Sequence, residues 1–147
     1  MKKVKNFKVL IPALLLVIAS LSGCTEKTVP VQSGESILIH FNETKNMQIG
    51  GSNISLSFTA VEDFRVPLSE CEMSYGSRAN VTIALSDHVV HLPILGCNTD
   101  NQGNILDNTE YVDTLGYHIN AYRLEPYPDG SSIDVEDYIL KLNISKL

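Results

Sequence analysis

The stretch from Asn53 to Thr59 reads NISLSFT and alternates strictly between polar and apolar side chains. Ile54, Leu56 and Phe58 occupy every second position, so in an extended chain they point to one face and their polar neighbours to the other. A period of two over seven residues predicts a β-strand with one face in a hydrophobic core and the other in solvent.

The same alternation recurs in four further segments, and a sixth candidate segment is interrupted by proline. These five segments are Ile37–Phe41, Asn80–Leu85, Tyr117–Tyr122, Tyr138–Ser145 and Val89–Leu95. Pro93 cannot donate a backbone hydrogen bond, so the last of them is predicted to be an edge strand. Gly50-Gly51 and Asp129-Gly130 supply turns, and no segment carries a helical stripe of three turns. The pattern predicts an all-β domain, either an antiparallel β-sandwich of the immunoglobulin-like kind or a small barrel.

The N-terminus carries the features of an export signal. Four lysines lie within the first eight residues, the run from Val9 to Leu21 is apolar except for Ser20, and Ser22-Gly23-Cys24 follows. A basic start, a short apolar run and a small-residue exit are typical of a secretory signal peptide. Leu-Ser-Gly-Cys resembles the lipobox of prokaryotic lipoproteins, which implies that Cys24 is lipidated and becomes the first mature residue. The alternative, a retained transmembrane anchor, needs ~20 apolar residues, and this run is shorter.

These features divide the chain into a signal peptide at 1–23, a lipid-anchored polar tether at 24–34 and a β domain at 35–147. The tether contains Pro30 and is predicted to lift the domain off the membrane. The protein is therefore expected at the cell membrane, on its extracytoplasmic face, with the lipid anchor as its contact with the bilayer.

The charge balance argues against a nucleic-acid partner. The whole chain carries 11 basic and 17 acidic residues, a formal charge of −6. Removal of residues 1–23 takes away four lysines and no acid, which leaves seven basic residues against seventeen acidic ones, a formal charge of −10. Nucleic acid and anionic lipid both repel such a surface, and the main effect expected of this charge is solubility.

The cysteine count favours a disulfide. If Cys24 carries the lipid, Cys71 and Cys97 remain as an even pair in an exported, oxidising setting. Neither lies in a C-x-x-C motif, so a disulfide is favoured over a metal thiolate pair or a reactive thiol. A bridge between these positions is expected to stabilise the fold by about 3 kcal/mol.

Four tripeptides match the N-x-S/T glycosylation sequon without proline in the middle. They begin at Asn42, Asn53, Asn80 and Asn143, and the last three fall on the polar side of their predicted strands. A glycan at these positions would project into solvent. Outward positions also favour Asn, Ser and Thr by themselves, which explains the phase of the sequons but less well their number. A lipobox combined with such acceptors points to an archaeal surface lipoprotein that is glycosylated at one or more sites.

The stretch from Asn98 to Asn104 is the best candidate for a metal site. Oxygen-bearing side chains stand at its first, third and fifth positions, Asn98, Asp100 and Gln102, and a glycine stands at the sixth, as in calcium loops. The twelfth position, where such loops carry an acid, is Thr109. A polar hairpin loop with a glycine turn explains the same residues, so no cofactor is predicted.

The sequence offers little support for catalysis. His88 and His91 are three residues apart and face opposite sides of a strand, which disfavours a shared metal ion. The adjacent acids Glu62-Asp63 and Glu136-Asp137 are interpreted as solvated loop acids. No Gly-x-Ser-x-Gly elbow is present, and no thiol outside the predicted pair supplies a nucleophile. The protein is therefore predicted not to be an enzyme, and a carboxylate hydrolase is the least favoured hypothesis.

Two segments resemble a family of secreted prokaryotic β domains. The run 56–67 reads LSFTAVEDFRVP and is followed by Cys71, which is similar to the family's F-x-x-V-x-x-D-S-R-C-P segment and its second Cys. The run 124–128 reads LEPYP and is similar to the family's closing L-x-P-Y-P turn. Val66 stands where the family has its first Cys, so the resemblance implies that Cys97 replaces that Cys as the partner of Cys71. The resemblance implies a β fold and export, and no activity.

These observations favour a membrane-anchored, non-catalytic binding or interaction module, whose partner is expected to be a protein of the cell envelope. Its function is expected in the loops Gly96–Asp113 and Pro126–Asp134, because rigid sandwiches present their binding sites on loops. Tyr122 and Tyr127 are candidates for contacts with a partner. The alternative is a structural component of the envelope or surface layer, in which charge and glycans govern solubility and spacing.

Overall fold

The alternating segments form a β-sandwich. The computed structural model describes residues 29–31, 34–73 and 76–147, and these ranges contain nine strands and two short 3-10 helices. The strands are β1 (Val29–Pro30), β2 (Ser36–His40), β3 (Thr44–Ile49), β4 (Ser52–Asp63), β5 (Arg78–Leu85), β6 (His88–Leu95), β7 (Val112–Thr114), β8 (Tyr117–Glu125) and β9 (Ile139–Lys146). The helices are η1 (Leu68–Met73) and η2 (Val135–Asp137).

Two sheets make up the sandwich. One has the strand order β1-β3-β4-β5-β6 and the other the order β2-β9-β8-β7. Every pair is antiparallel except β1 with β3. The prediction of an all-β, antiparallel sandwich is therefore confirmed, and the separate strand orders distinguish it from a closed barrel.

The core lies between the inward faces of the two sheets. Along β5 every second side chain is buried, and β8 and β9 show the same pattern. The largest fully buried side chains are Phe58, Ile39, Ile49, Leu56, Ile83, Leu85, Leu92, Ile119, Leu124, Leu140, Leu142 and Ile144. Burial of each such side chain stabilises the fold by about 1.5–3 kcal/mol before the entropic cost of ordering the chain.

Each of the six predicted strands is present, and β6, which contains Pro93, is an edge strand as predicted. Three further strands have no counterpart among the predictions. β3 has buried apolar side chains at Met47 and Ile49 alone, and β1 and β7 are too short to show a period. The predicted loop at Gly96–Asp113 ends earlier than expected because Asp113 belongs to β7.

Two β-bulges shift the phase of long strands near their ends. In β4 the pairing with β5 skips Thr59. One extra residue reverses which side chains face the core, so Asp63, paired with the fully buried Ala79, turns inward. In β8 the pairing with β9 skips Tyr122, after which Leu124 continues the buried face.

The predicted signal peptide at 1–23 and the predicted lipidation site Cys24 lie outside the described residues. Of the predicted tether at 24–34, residues 29–31 and 34 are described. Val29 pairs with Met47 and Pro30 with Gln48, so this part of the tether belongs to the first sheet rather than standing apart from the domain. Within the described ranges, no helix is long and apolar enough to cross a membrane.

A disulfide joins Cys71 to Cys97, with their Cα atoms 5.3 Å apart. This confirms the predicted pair over the thiolate and free-thiol alternatives. The bridge connects η1 to the residues that follow β6, so it holds two connections at the same end of the sandwich.

Replacement of both bridge cysteines, Cys71→Ser with Cys97→Ser, is expected to lower the free energy of unfolding by about 3 kcal/mol, because the unfolded chain regains the freedom of a loop of 26 residues. Urea unfolding followed by far-UV circular dichroism measures the loss. The change Ser69→Ala, in exposed η1, is the control. A double variant as stable as this control would contradict the expected contribution.

Candidate functional site

A buried ion pair lies at the end of β4. Both side chains are almost fully buried, with 2% of Arg65 and 7% of Asp63 exposed. Arg65 Nε donates to Asp63 Oδ1 at 2.8 Å and Nη2 donates to Oδ2 at 2.6 Å, a two-pronged contact that the planar guanidinium favours. The expectation that Asp63 is a solvated loop acid is wrong, because the bulge at Thr59 turns it inward.

Arg65 also binds the end of β8 and the loop that follows it. Nη1 donates to the Leu124 carbonyl at 2.7 Å and Nη2 to the Pro126 carbonyl at 3.0 Å. The guanidinium carbon lies 5.0 Å from the centroid of the Tyr127 ring, within cation–π distance. One side chain thus ties the first sheet to the loop between β8 and β9.

Tyr138, at the far end of the loop between β8 and β9, also contacts the buried ion pair. Its hydroxyl donates to Asp63 Oδ2 at 3.0 Å. Burial and the neighbouring charge of Asp63 raise the pKa of Tyr138 to about 12, against an opposing effect of Arg65. The four residues Asp63, Arg65, Tyr127 and Tyr138 are called the Arg65 cluster below.

Close packing around the Arg65 cluster requires a glycine at position 96. A Cβ there would lie 2.3 Å from Ser77 Oγ and 3.0 Å from Arg65 Cγ, both closer than van der Waals contact. The Ser77 hydroxyl accepts a hydrogen bond from Val66 N at 3.0 Å, and the Tyr127 hydroxyl accepts one from Cys97 N at 2.9 Å. The connection that follows β4 and the connection that follows β6 are therefore both held against the Arg65 cluster at their first residues.

A groove of about 610 Å³ opens beside the Arg65 cluster. Its charged and aromatic lining residues are Arg65, Arg123, Glu125, Asp137, Tyr122 and Tyr127, and its apolar ones are Ile94, Leu95, Ile105, Leu106, Leu124, Pro126 and Ile139. Leu95 and Leu106 are 40% and 46% exposed, so the groove has an apolar rim open to solvent. Its volume lies in the range of sites that bind small molecules or single segments of a partner.

Asn108 fixes one wall of the groove. Only 3% of this residue is exposed. Its Nδ2 donates to the carbonyls of Pro93 at 2.9 Å and Ala121 at 3.1 Å, and its backbone N–H donates to the Tyr122 carbonyl at 2.8 Å. Pro93 lies on the edge strand β6, and Ala121 and Tyr122 lie at the bulge in β8, so Asn108 donates to both sheets and bridges them.

Ion pairs occupy most of the charged groups along the groove. Arg123 Nη2 lies 2.6 Å from Asp107 Oδ1 and donates to the Ile105 carbonyl at 3.2 Å. Lys141 Nζ donates to Glu125 Oε1 at 2.7 Å. Arg123 therefore joins the groove floor to the 96–111 connection, which stiffens the wall formed by Ile105 and Leu106.

Three of the four calcium candidates, Asp100, Gln102 and Asn104, lie in one loop turn. Asp100 Oδ1 accepts the backbone N–H groups of Gln102 at 2.8 Å and Asn104 at 2.9 Å, and Oδ2 accepts Asn104 Nδ2 at 2.9 Å. These bonds lower the pKa of Asp100. Asn98 points elsewhere and donates to the Asp107 carbonyl. The carboxylate thus serves the turn itself, as in the hairpin-loop alternative.

The remaining candidates are dispersed. In the described part of the chain, no three His, Cys, Asp or Glu side chains are grouped closely enough to hold a metal ion. His88 and His91 both lie on β6, where His91 bonds Thr82. The acids Glu136 and Asp137 lie on the exposed helix η2, which agrees with their interpretation as solvated acids.

The sequons occupy outward positions of both sheets and one turn. Asn42 lies in the turn between β2 and β3 and is exposed, as is Asn53 on β4. Asn80 and Asn143 are half-buried, each flanked along its strand by buried apolar side chains that face the core. The predicted phase of the three strand sequons is therefore confirmed.

The structure brings together the two loops that the sequence analysis predicted as separate sites. The predicted loop sites meet at the groove, with Ile105 and Leu106 from one and Pro126 and Tyr127 from the other. Sequence reasoning missed Arg65, because its burial depends on a bulge that the local pattern does not mark. The sequence feature that could have indicated it is the Asp-x-Arg pair formed by Asp63 and Arg65, at a strand end inside the run 56–67.

The two segments that carry the family resemblance are in contact, since Arg65 in one binds the carbonyls of Leu124 and Pro126 in the other. Comparison of the chain with protein-family models, curated proteins and solved structures found no match. The resemblance therefore stays a prediction.

The change Arg65→Met is expected to lower the free energy of unfolding by about 3–5 kcal/mol, because it leaves the Asp63 carboxylate buried without its partner. The matched control is Lys45→Met, which removes a half-exposed pair with Glu43 and a hydrogen bond to the Leu38 carbonyl and is expected to cost less, about 1 kcal/mol. Urea unfolding at pH 7 compares the two. Equal losses in both variants would contradict the role of the buried pair.

Stability is expected to fall as pH rises from 10 towards 12, in part because of Tyr138. Its pKa is about 12 in the folded protein and about 10 when unfolded, so in this window the unfolded chain releases a proton that the folded one keeps. Tyr138→Phe is expected to flatten the decline measured by urea unfolding at successive pH values. The exposed Tyr111→Phe is the control, and the same slope in both variants would refute the assignment.

Proposed function

We propose that the protein is a non-catalytic binding module that engages a partner through the groove beside the Arg65 cluster. The observation that carries this proposal is the convergence of the 96–111 connection and the 126–134 loop on one apolar cleft. Loops on a sandwich commonly carry binding function, and here two loops supply the walls of a single open site.

The rigidity of the groove supports a binding role. The disulfide, the Arg65 cluster and Asn108 each connect elements that border it. A site whose walls are already ordered loses little conformational entropy when a partner binds. The exposed Leu95 and Leu106 then provide apolar surface whose burial drives association.

The chemistry of the lining groups also supports binding rather than catalysis. Three of the four charged lining residues, Arg65, Arg123 and Glu125, are each engaged in an ion pair, and the fourth, Asp137, is exposed on η2. The two tyrosines of the lining, Tyr122 and Tyr127, form hydrogen bonds to Ser36 and to Cys97 N. Groups held in this way position a ligand well, whereas a general base or nucleophile needs a free, activated lone pair.

We further propose that the module is held on the extracytoplasmic face of the cell membrane by a lipid on Cys24. The described sheet begins at Val29, five positions after Cys24. Five residues reach at most about 18 Å even when fully extended. An anchor at Cys24 therefore keeps the domain close to the bilayer, so that a partner is expected among envelope components.

The groove is tested by placing a photoreactive amino acid at Leu106 in cells that express the full chain, with the same amino acid at Val89 as the control. Val89 is also exposed and apolar, at 66%, but it lies at the opposite end of β6. A discrete crosslinked product from position 106 and none from position 89 is expected, since a partner seated in the groove contacts its rim.

Equal crosslinking from both positions, or products with bulk envelope proteins alone, would contradict a groove-specific partner. That result would favour the alternative of a structural envelope component, in which no discrete site is engaged.

Native processing is tested by the intact mass of the protein from its own cells. The expected mass lacks residues 1–23 and exceeds that of the remaining polypeptide by a lipid and by glycans at one or more sequons. Cys24→Ser is expected to move the protein from the membrane to the soluble fraction, and Asn53→Gln, at an exposed sequon, to remove one glycan mass. The bare polypeptide mass, with Cys24→Ser still membrane-bound, would refute both modifications.

A further inference from the structure

Acidic residues are concentrated in the three segments that border the groove. Three segments, 62–73, 96–110 and 122–138, contain twelve of the seventeen acidic residues and two of the eleven basic ones. The rest of the chain from position 24 onward has five of each, and one of these basic residues, Lys141, pairs with Glu125 at the groove. These segments meet in space through the disulfide and through the hydrogen bonds of Arg65 to the Leu124 and Pro126 carbonyls.

The two arginines that line the groove are each held in an ion pair. The guanidinium groups of Arg65 and Arg123 are paired with Asp63 and Asp107. Asp137 lines the opening, and it lies on η2 with Glu136, where both are exposed. An incoming ligand therefore meets apolar side chains on the rim and floor, surrounded by negative charge.

We propose that the groove binds a peptide segment of a protein partner in which apolar side chains are flanked by Lys or Arg. The apolar side chains would cover Leu95 and Leu106, and the cationic groups would approach Asp137 and the surrounding acids. This inference rests on the proposed function, because it names the chemistry of the partner for the same groove.

Charge complementarity selects this occupant over a second copy of the chain. A second copy would bring the same acidic end or a remainder without net charge, so it supplies no excess of positive charge to the groove end. Anionic lipid is repelled for the same reason. A cationic, apolar peptide satisfies both the charge and the exposed hydrophobic rim.

Three dye-labelled probe peptides test the proposal by fluorescence anisotropy on the protein purified from cells that express the full chain. One alternates Lys and Leu, one Lys and Ser, and one Glu and Leu. The Lys/Leu peptide is expected to bind at least about tenfold more tightly than either of the others, since it alone supplies both features. Its affinity is expected to fall as salt is raised, because the acids are exposed.

Paired variants localise the binding. Leu106→Ser and Asp137→Asn are expected to weaken binding of the Lys/Leu peptide by about threefold or more each. Their matched controls are Val89→Ser and Asp87→Asn, which change an exposed apolar and an exposed acidic residue near the start of β6, about 20 Å or more from Leu95 by strand rise. All four positions are exposed, so thermal unfolding is expected to show four folded proteins.

Several results would overturn the inference. If the Lys/Ser peptide bound as tightly as the Lys/Leu peptide, charge alone would explain binding. If the Glu/Leu peptide did so, positive charge would not be required. If the control variants weakened binding as much as Leu106→Ser and Asp137→Asn, the peptide would not be bound in the groove. Self-association that Leu106→Ser abolishes would make a second copy the occupant. A specific crosslink from position 106 without binding of the Lys/Leu peptide would overturn this inference and leave the proposed function standing. Absence of a specific crosslink from position 106 would contradict the proposed function itself.

Discussion

The contact between Asp63 and Arg65 is the interaction on which the groove end of the molecule depends. Two buried charges lose their hydration, and their mutual attraction compensates for that loss only when every remaining donor and acceptor is also bonded. Here the hydroxyl of Tyr138 and the carbonyls of Leu124 and Pro126 complete the set. Because these groups come from β4, from the end of β8 and from the residue before β9, the pair specifies how those elements meet, and the groove exists as a consequence of that geometry.

Alternation of side chains was enough to predict most of the sandwich. The strand from Asn53 to Thr59 and its equivalents carry the core on every second residue, and this signal is local, so it can be recognised without the rest of the chain. β3 escaped prediction because it has apolar side chains at Met47 and Ile49 alone. The bulges escaped because an extra residue in a strand is defined by its partner strand, which a local pattern does not contain.

The candidate site was predictable in part. The two loops were expected to carry function, and they do line one groove, but their contact depends on pairings 59 and 61 residues apart in the chain, from Arg65 to Leu124 and Pro126. The interpretation of Asp63 as a solvated acid failed for a related reason. Its burial follows from the reversal of phase at Thr59, which turns an outward position into an inward one.

Pairing of β2 with β9 has a consequence for how the chain is made. β2 spans Ser36–His40 and its partner spans Ile139–Lys146, so β2 has no strand to pair with until β9, about a hundred residues later, has been synthesised. The β3–β4 and β5–β6 hairpins pair near neighbours and can form earlier, whereas the second sheet cannot close until β9 has been synthesised. A chain that stops short of β9 would leave β2 without its hydrogen-bonded neighbour and its edge open to strands of other molecules.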